Sequence, residues 1–96
     1  MRPKKTRWVK CSTASRVFEP WTTSLGTKKK IILSLDEFEA VRLLDYEHLS
    51  QIQAAKQMRV HRSTVSRIIS SAREKIAQAL VNINTLKIEG GCCKVV

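Results

Sequence analysis

The fold of this chain is decided by residues 51–70, which read QIQAAKQMRVHRSTVSRIIS. Apolar residues recur at helical spacing on both sides of a short segment, Arg59-Val60-His61. Ala55 supplies the small side chain that two crossing helices need where they touch, so the spacing predicts a helix-turn-helix. Arg59 occupies the turn position that usually holds glycine, because the backbone there tends to positive φ, at a cost of about 1 kcal/mol for arginine. The apolar contacts expected to fix the crossing angle are Ala54, Met58, Val60, Val65 and Ile68.

Two capping boxes predict where helices begin. Residues 34–37 read SLDE and residues 50–53 read SQIQ, a pattern in which a serine hydroxyl and a longer polar side chain satisfy each other's backbone N–H groups. They predict a first helix from residue 34 and a second that ends near residue 58, and apolar periodicity predicts a third over 62–81. The first is apolar around most of its circumference, so we expect the amino-terminal segment and the following helices to cover it on two sides.

Short strands are predicted elsewhere. Alternating or β-branched residues indicate strands at 8–9, 16–18, 31–33 and 86–88, and two glycines at 90–91 are expected to end the regular structure. The predicted fold class is therefore mainly α, a helix-turn-helix domain with a small β element from the amino-terminal segment and residues 86–88.

The charge of the chain predicts a polyanionic partner. Eighteen Lys and Arg residues against eight Asp and Glu give a net charge of +10, and nine of the basic residues lie in residues 1–33. No apolar run approaches the length of a membrane span, and the basic amino end leads into no apolar signal core, so we expect a cytoplasmic protein with no membrane partner. We divide the chain into a basic arm with short strands (1–33), a helix-turn-helix DNA-binding domain (34–91) and a cysteine-containing tail (92–96).

The predicted DNA contacts fall into two groups. The residues expected to contact base edges, because they lie opposite the apolar stripe of the third helix, are Arg62, Ser63, Ser66, Arg67 and Ser70. The residues expected to contact phosphates are Lys56, Arg59, His61, Thr64, Arg73, Arg2, Lys4, Lys5 and Arg7. His61 has the alternative of capping the third helix, and Thr64 has the same alternative. The arm over 2–7 either enters a minor groove or is a disordered terminus.

No metal, cofactor or catalytic site is predicted. Cys11, Cys92 and Cys93 are odd in number and lack the spacing of a zinc site, although a metal-responsive or redox-responsive regulator that uses them is an alternative. The two histidines have no paired nucleophile and no phosphate loop is present, so we expect no enzymatic activity. Three carboxylates of the first helix, Asp36, Glu37 and Glu39, have two interpretations: favourable charge at the helix start, or a contact with a basic patch of a partner such as RNA polymerase.

The chain resembles an uncharacterised family of small prokaryotic proteins described as predicted DNA-binding proteins. The residues that carry the resemblance include 35–43 (LDEFEAVRL), 49–51 (LSQ) and 86–91 (LKIEGG). The helix-turn-helix is also similar to region four of bacterial sigma factors, which implies a major-groove reader and assigns base contacts to Arg62, Ser63, Ser66 and Arg67. The sequence departs from the family at Arg59 and His61, where glycine and serine are usual.

The predicted function is that of a sequence-specific DNA-binding protein and transcriptional regulator that reads double-stranded DNA with the helix over 62–81. A homodimer is expected, with Ile76, Leu80, Ile83 and the strand near Ile88 as candidate dimer surfaces or, alternatively, as core of one subunit. An RNA-binding or ribosome-associated protein is the alternative. It would need exposed aromatic rings, whereas we expect Trp8 and Trp21 to pack in the core.

Overall fold

The computed structural model describes residues 6–10, 16–21, 29–91 and 93–95. These residues form three helices and five short strands, and helices dominate, as predicted. The helices are α1 (Leu35–Val41), which continues as a π-helical turn over Arg42–Tyr46, α2 (Gln51–Met58) and α3 (Arg62–Val81). The strands are β1 (Arg7–Val9), β2 (Arg16–Phe18), β3 (Lys30–Leu33), β4 (Thr85–Ile88) and β5 (Cys93–Val95).

Both predicted capping boxes are present. The Ser34 hydroxyl accepts from the Glu37 N–H (3.4 Å), and the Ser34 N–H donates to Glu37 Oε1 (2.9 Å). The same exchange joins Ser50 to Gln53, at 3.1 and 2.9 Å. The beginnings of α1 and α2 are thus fixed by contacts three residues apart, which explains why the sequence alone located them.

The connection between α2 and α3 is as short as predicted. Arg59 lies in the left-handed region (φ 56°, ψ 45°), which confirms the positive φ expected at this position. Its N–H and that of Val60 donate to carbonyls of the last turn of α2, the latter to Ala55 at 3.0 Å. The chain therefore reverses within three residues, and α3 begins at Arg62.

The strands form two small sheets. In one, β4 lies between β2 and β3, antiparallel to β2 and parallel to β3; in the other, β1 pairs with β5 in parallel. The expectation that regular structure ends at residues 90–91 is wrong. Gly90 and Gly91 have positive φ and turn the chain into β5. No local sequence pattern predicts β5, because this strand is stabilised by pairing with the distant strand β1.

The core lies where α1, α2 and α3 meet. Its buried residues are Ala40, Leu43, Ala54, Ala55, Met58, Val65, Ile68 and Ile69, which include four of the five contacts predicted to fix the crossing angle; the fifth, Val60, is half-buried against them. A second cluster of Leu33, Ala72 and Ile88 joins α3 to the three-stranded sheet. As expected from its apolar circumference, α1 packs against both the amino-terminal strand β1 and the later helix α3.

One expected core residue is not in the core. Trp21 is fully exposed among the residues that the structure describes, whereas Trp8 is half-buried in β1. The expectation for Trp21 rested on the small number of aromatic residues in the chain. The core is instead filled by aliphatic side chains and Ala, so no aromatic ring is required at its centre.

Candidate nucleic-acid interface

The five side chains predicted to contact bases share one solvent-facing surface of α3, called the outer face here. Its members, all exposed, are Arg62, Ser63, Ser66, Arg67 and Ser70. The first four line one shallow depression together with Gln51 of α2. The opposite surface of α3 is buried through Val65, Ile68, Ile69 and Ala72, so packing fixes which side of the helix faces outward.

The start of α3 is capped by His61. Its ring Nδ1 accepts from the Ser63 N–H at 3.0 Å and lies 2.8 Å from the Ser63 hydroxyl. This geometry confirms the capping alternative for His61 and excludes it for Thr64, which is half-buried within the first turn of α3. The imidazole stays exposed, so the cap leaves one edge of the ring facing solvent.

Arg59 projects from the turn onto an aromatic ring. Its guanidinium carbon lies 3.3 Å from the centre of the Trp8 ring, and Lys94 Nζ of β5 lies 5.1 Å from the same centre. Arg59 is otherwise exposed. Lys56, one helical turn earlier, is also exposed, so the surface beside the turn carries three cations.

Two other predicted phosphate contacts are engaged within the protein. Arg73 holds Asp45 with two hydrogen bonds, at 2.6 and 3.2 Å. This contact lowers the pKa of Asp45 and raises that of Arg73. Arg7 lies in β1 with its side chain 11% exposed, 3.7 Å from Asp36. Its Nε and Nη1 are buried and make no hydrogen bond to the described residues.

The rest of the predicted basic arm lies outside the described residues. Arg2, Lys4 and Lys5 belong to that part of the chain. Arg7, by contrast, pairs with Cys93 in the register of β1 and β5. The arm interpretation therefore applies to residues 2–5, and Arg7 is an element of the folded body.

The carboxylates of α1 are buried. Glu37 accepts from Lys75 Nζ (2.8 Å) and from the Ser71 hydroxyl (2.6 Å), and Glu39 accepts from Arg42 (2.7 Å). Burial would raise the pKa of Glu37, but the hydrogen bonds from Lys75, Ser71 and Ser34 together outweigh it and lower the pKa. Since Asp36, Glu37 and Glu39 are all at least nine-tenths buried, they present no acidic patch to a partner, which favours the interpretation as charge at the helix start; RNA polymerase as a partner stays a prediction.

An apolar groove lies at the other end of α3. It measures about 420 Å³ and is bordered by Phe18 of β2, Ile76 and Leu80 of α3 and the following Ile83. Leu80 is 75% exposed and Ile83 is 47% exposed, whereas Ile88 is buried in the second core cluster. Three of the four dimer candidates, Ile76, Leu80 and Ile83, are therefore at least partly exposed in the groove. The fourth, Ile88, belongs to the core of one subunit.

The described residues contain no grouping of His, Cys, Asp and Glu side chains suited to a metal ion. Cys93 is half-buried in β5, and Cys11 and Cys92 lie outside the described residues. Within the same part of the chain, no helix combines the length and the apolar character needed to cross a membrane.

The whole chain, residues 1–96, matches the model of the family described as "Protein of unknown function DUF134". It is 46% identical over 94 residues to the UPF0251 protein TTE1845 of Caldanaerobacter subterraneus subsp. tengcongensis, which covers 98% of this chain and 80% of that protein. It is 42% identical over 91 residues to a UPF0251 protein of Methanosarcina mazei, which covers 95% of this chain and 56% of that protein. No solved structure matches it. The chain therefore belongs to the uncharacterised family DUF134, whose members here carry the name UPF0251 in both bacteria and archaea.

Proposed function

We propose that this protein binds double-stranded DNA in a sequence-specific manner, with α2 and α3 acting as a helix-turn-helix similar to that of sigma factor region four. In this arrangement the amino-terminal half of α3 enters the major groove. The observation that carries the proposal is the outer face of α3, where two arginines and three serines stand exposed opposite a buried apolar stripe, directly after a three-residue turn.

The side chains of the outer face have the chemistry that base edges require. A guanidinium donates two parallel hydrogen bonds to O6 and N7 of guanine, and a serine hydroxyl bonds either bases or phosphates. Among the described residues no carboxylate forms an ion pair with Arg62 or Arg67, in contrast to Arg73 and Arg42. The two guanidinium groups on the outer face are thus available to an external acceptor.

The charge of the chain favours a polyanionic partner. Three of the eight acidic residues of the chain, Asp36, Glu37 and Glu39, are buried and paired within α1 and its neighbours. Their basic partners Arg7, Arg42 and Lys75 are engaged with them, so the excess of basic residues remains on the rest of the chain, which favours association with a polyanion and a strong dependence of affinity on salt.

The proposal includes a homodimer whose interface is the apolar groove, with a second copy of this chain as its occupant. A helix of 20 residues such as α3 is about 30 Å long; the outer face occupies its amino-terminal half and the groove borders its last turns. A two-fold contact at Leu80 and Ile83 would leave both outer faces free for half-sites about 34 Å apart on the duplex. Burial of exposed Leu, Ile and Phe side chains supplies the driving force.

RNA is the second candidate partner, because three of the five aromatic rings are exposed. These are Phe18, Trp21 and Tyr46. Exposed rings are what unstacked bases of single-stranded RNA require. None of the three lies in α2 or α3, however, so the face with the free arginines favours duplex DNA.

The proposal is tested by selecting sites from a random duplex library at near-physiological salt with excess nonspecific competitor. Enrichment of a motif with two-fold symmetry is the expected result and supports both the reader and the dimer. Enrichment of a single half-site supports the reader and contradicts the dimer. Retention without enrichment, or preference for an RNA competitor, contradicts sequence-specific DNA binding.

A further inference from the structure

The arginine at the turn between α2 and α3 occupies a conformation that favours glycine. Arg59 has a φ of 56°, so its backbone is strained in a way that a glycine backbone would not be. Backbone strain of this kind persists only where the surrounding structure maintains it, and it is commonest at functional positions. In this protein the guanidinium of Arg59 packs over the ring of Trp8.

The stacking geometry fixes the guanidinium without using its donors. At 3.3 Å from the ring centre, Arg59 lies against the face of the indole, and its N–H groups lie along the edge of the guanidinium plane. Trp8 is itself held in β1, where it stands opposite Lys94 of β5 in the strand register. The ring therefore carries two cations, Arg59 and Lys94, supplied by different parts of the chain.

Within the part of the chain that the structure describes, these two cations have no anionic partner. No carboxylate in residues 6–10, 16–21, 29–91 or 93–95 forms an ion pair with Arg59 or Lys94. Lys56, one turn earlier in α2, adds a third exposed positive charge. Like charges that converge on one ring repel each other, and an anion from outside the protein would remove that repulsion.

We propose that Arg59 and Lys94 together form a phosphate clamp, and that Trp8 is the positioning residue that holds it. The clamp would grip a phosphate of the duplex backbone at the edge of the major groove, because Arg59 lies three residues before the start of α3. This inference rests on the proposed function. It adds a phosphate contact that sets the register of α3 on the duplex. Because Trp8 lies in β1 and Lys94 lies in β5, these two strands also take part in binding.

The clamp is tested with the selected duplex and a random duplex, by measuring affinity as a function of salt. Arg59→Gly relieves the strained φ, so we expect no loss of thermal stability, yet about a tenfold loss of affinity on both duplexes. The slope of log affinity against log salt should fall by about one for each phosphate that the variant no longer binds. Lys87→Ala is the matched control, because Lys87 lies in β4 and is paired with Glu89. It should change neither the affinity nor the salt slope.

Trp8 requires a readout that a purely structural role would not change. Trp8→Leu should reduce the salt slope as Arg59→Gly does, whereas Trp8→Phe should keep the wild-type slope because an aromatic face remains. When Arg59 is already glycine, Trp8→Leu should have a smaller effect on the slope, because only Lys94 is then left for the ring to position. In a Trp21→Phe background, the emission of Trp8 should change when duplex is added and not change in the Arg59→Gly variant.

The outcomes separate this inference from the function on which it rests. If Arg59→Gly binds with the wild-type salt slope while variants of the outer face are impaired, the clamp is wrong and the DNA-binding proposal stands. If Trp8→Leu lowers stability but leaves the slope unchanged, Trp8 is only a structural residue and the positioning role is wrong. If the wild type retains no duplex in the library selection, both proposals fail.

Discussion

Replacement of Arg67 by alanine isolates one proposed base contact, because this side chain does little for the fold. Arg67 is exposed on the outer face of α3, and no hydrogen bond or ion pair joins it to another described residue. Alanine is also the best helix former, so the free energy of unfolding should change by less than about 0.5 kcal/mol. Any decrease in binding then reflects the missing side chain at the DNA and not a smaller fraction of folded protein.

The expected magnitude follows from the geometry of a guanidinium on guanine. A bidentate contact discriminates by about 1–3 kcal/mol against the wrong base. Removal of this side chain should weaken binding to the selected duplex by about five- to 150-fold, and the variant should accept any base at the position that Arg67 contacts. Binding to random duplex should weaken much less, because the phosphate contacts remain.

Fluorescence anisotropy with labelled duplexes measures these differences. The panel contains the selected site and three variants of it with each other base at the guanine in question. Arg73→Ala is the matched control, since Arg73 is also an exposed arginine of α3 but is bound to Asp45. It should leave the base preference unchanged. Equal decreases on the selected and random duplexes for Arg67→Ala would refute the assignment of this side chain to a base edge.

Three further predictions concern phosphate contact, pH and assembly. Lys56→Ala should weaken binding to all sequences alike and flatten the salt dependence by about one unit, and a sequence-dependent decrease would contradict this. The pKa of Glu37 lies below its ordinary value of 4.5 in the folded protein, so the unfolded state binds more protons as the pH falls through this range. The stability that Glu37 provides should therefore be present at neutral pH and lost on acidification below about pH 4.5, and urea unfolding of wild type and Glu37→Gln should converge there; a constant difference at all pH values would be inconsistent. Leu80→Glu should shift sedimentation from dimer to monomer, and a wild type that sediments as a monomer would exclude the groove as an interface.

The features predicted correctly from sequence are those with local causes. The starts of α1 and α2 follow from capping boxes that span four residues, and the bounds of α3 follow from apolar residues that repeat on one face. The outer face was located by the same periodicity, because burial of Val65 and Ile69 decides which residues point outward.

The features that the sequence did not predict depend on residues far apart in the chain. Arg73 meets Asp45 across 28 positions, and Arg59 meets Trp8 only because β1 packs against α2. In neither pair does the sequence around one residue indicate which residue it will contact. The burial of Glu39 was missed for the same reason, since a backbone N–H of Lys10 supplies one of its hydrogen bonds. A charged residue in a helical pattern indicates a solvated position by default, and only the tertiary structure shows that it is paired.

The proposal that α3 lies in the major groove is tested most directly by methylation interference on the selected duplex. Methylation of guanine N7 modifies the major-groove edge, whereas methylation of adenine N3 modifies the minor-groove edge. We expect N7 methylation of the guanines in the selected motif to abolish binding, and one of these positions to become insensitive in Arg67→Ala. Binding that tolerates every N7 methylation, or that is blocked only by methylation of adenine N3, would contradict a major-groove reader.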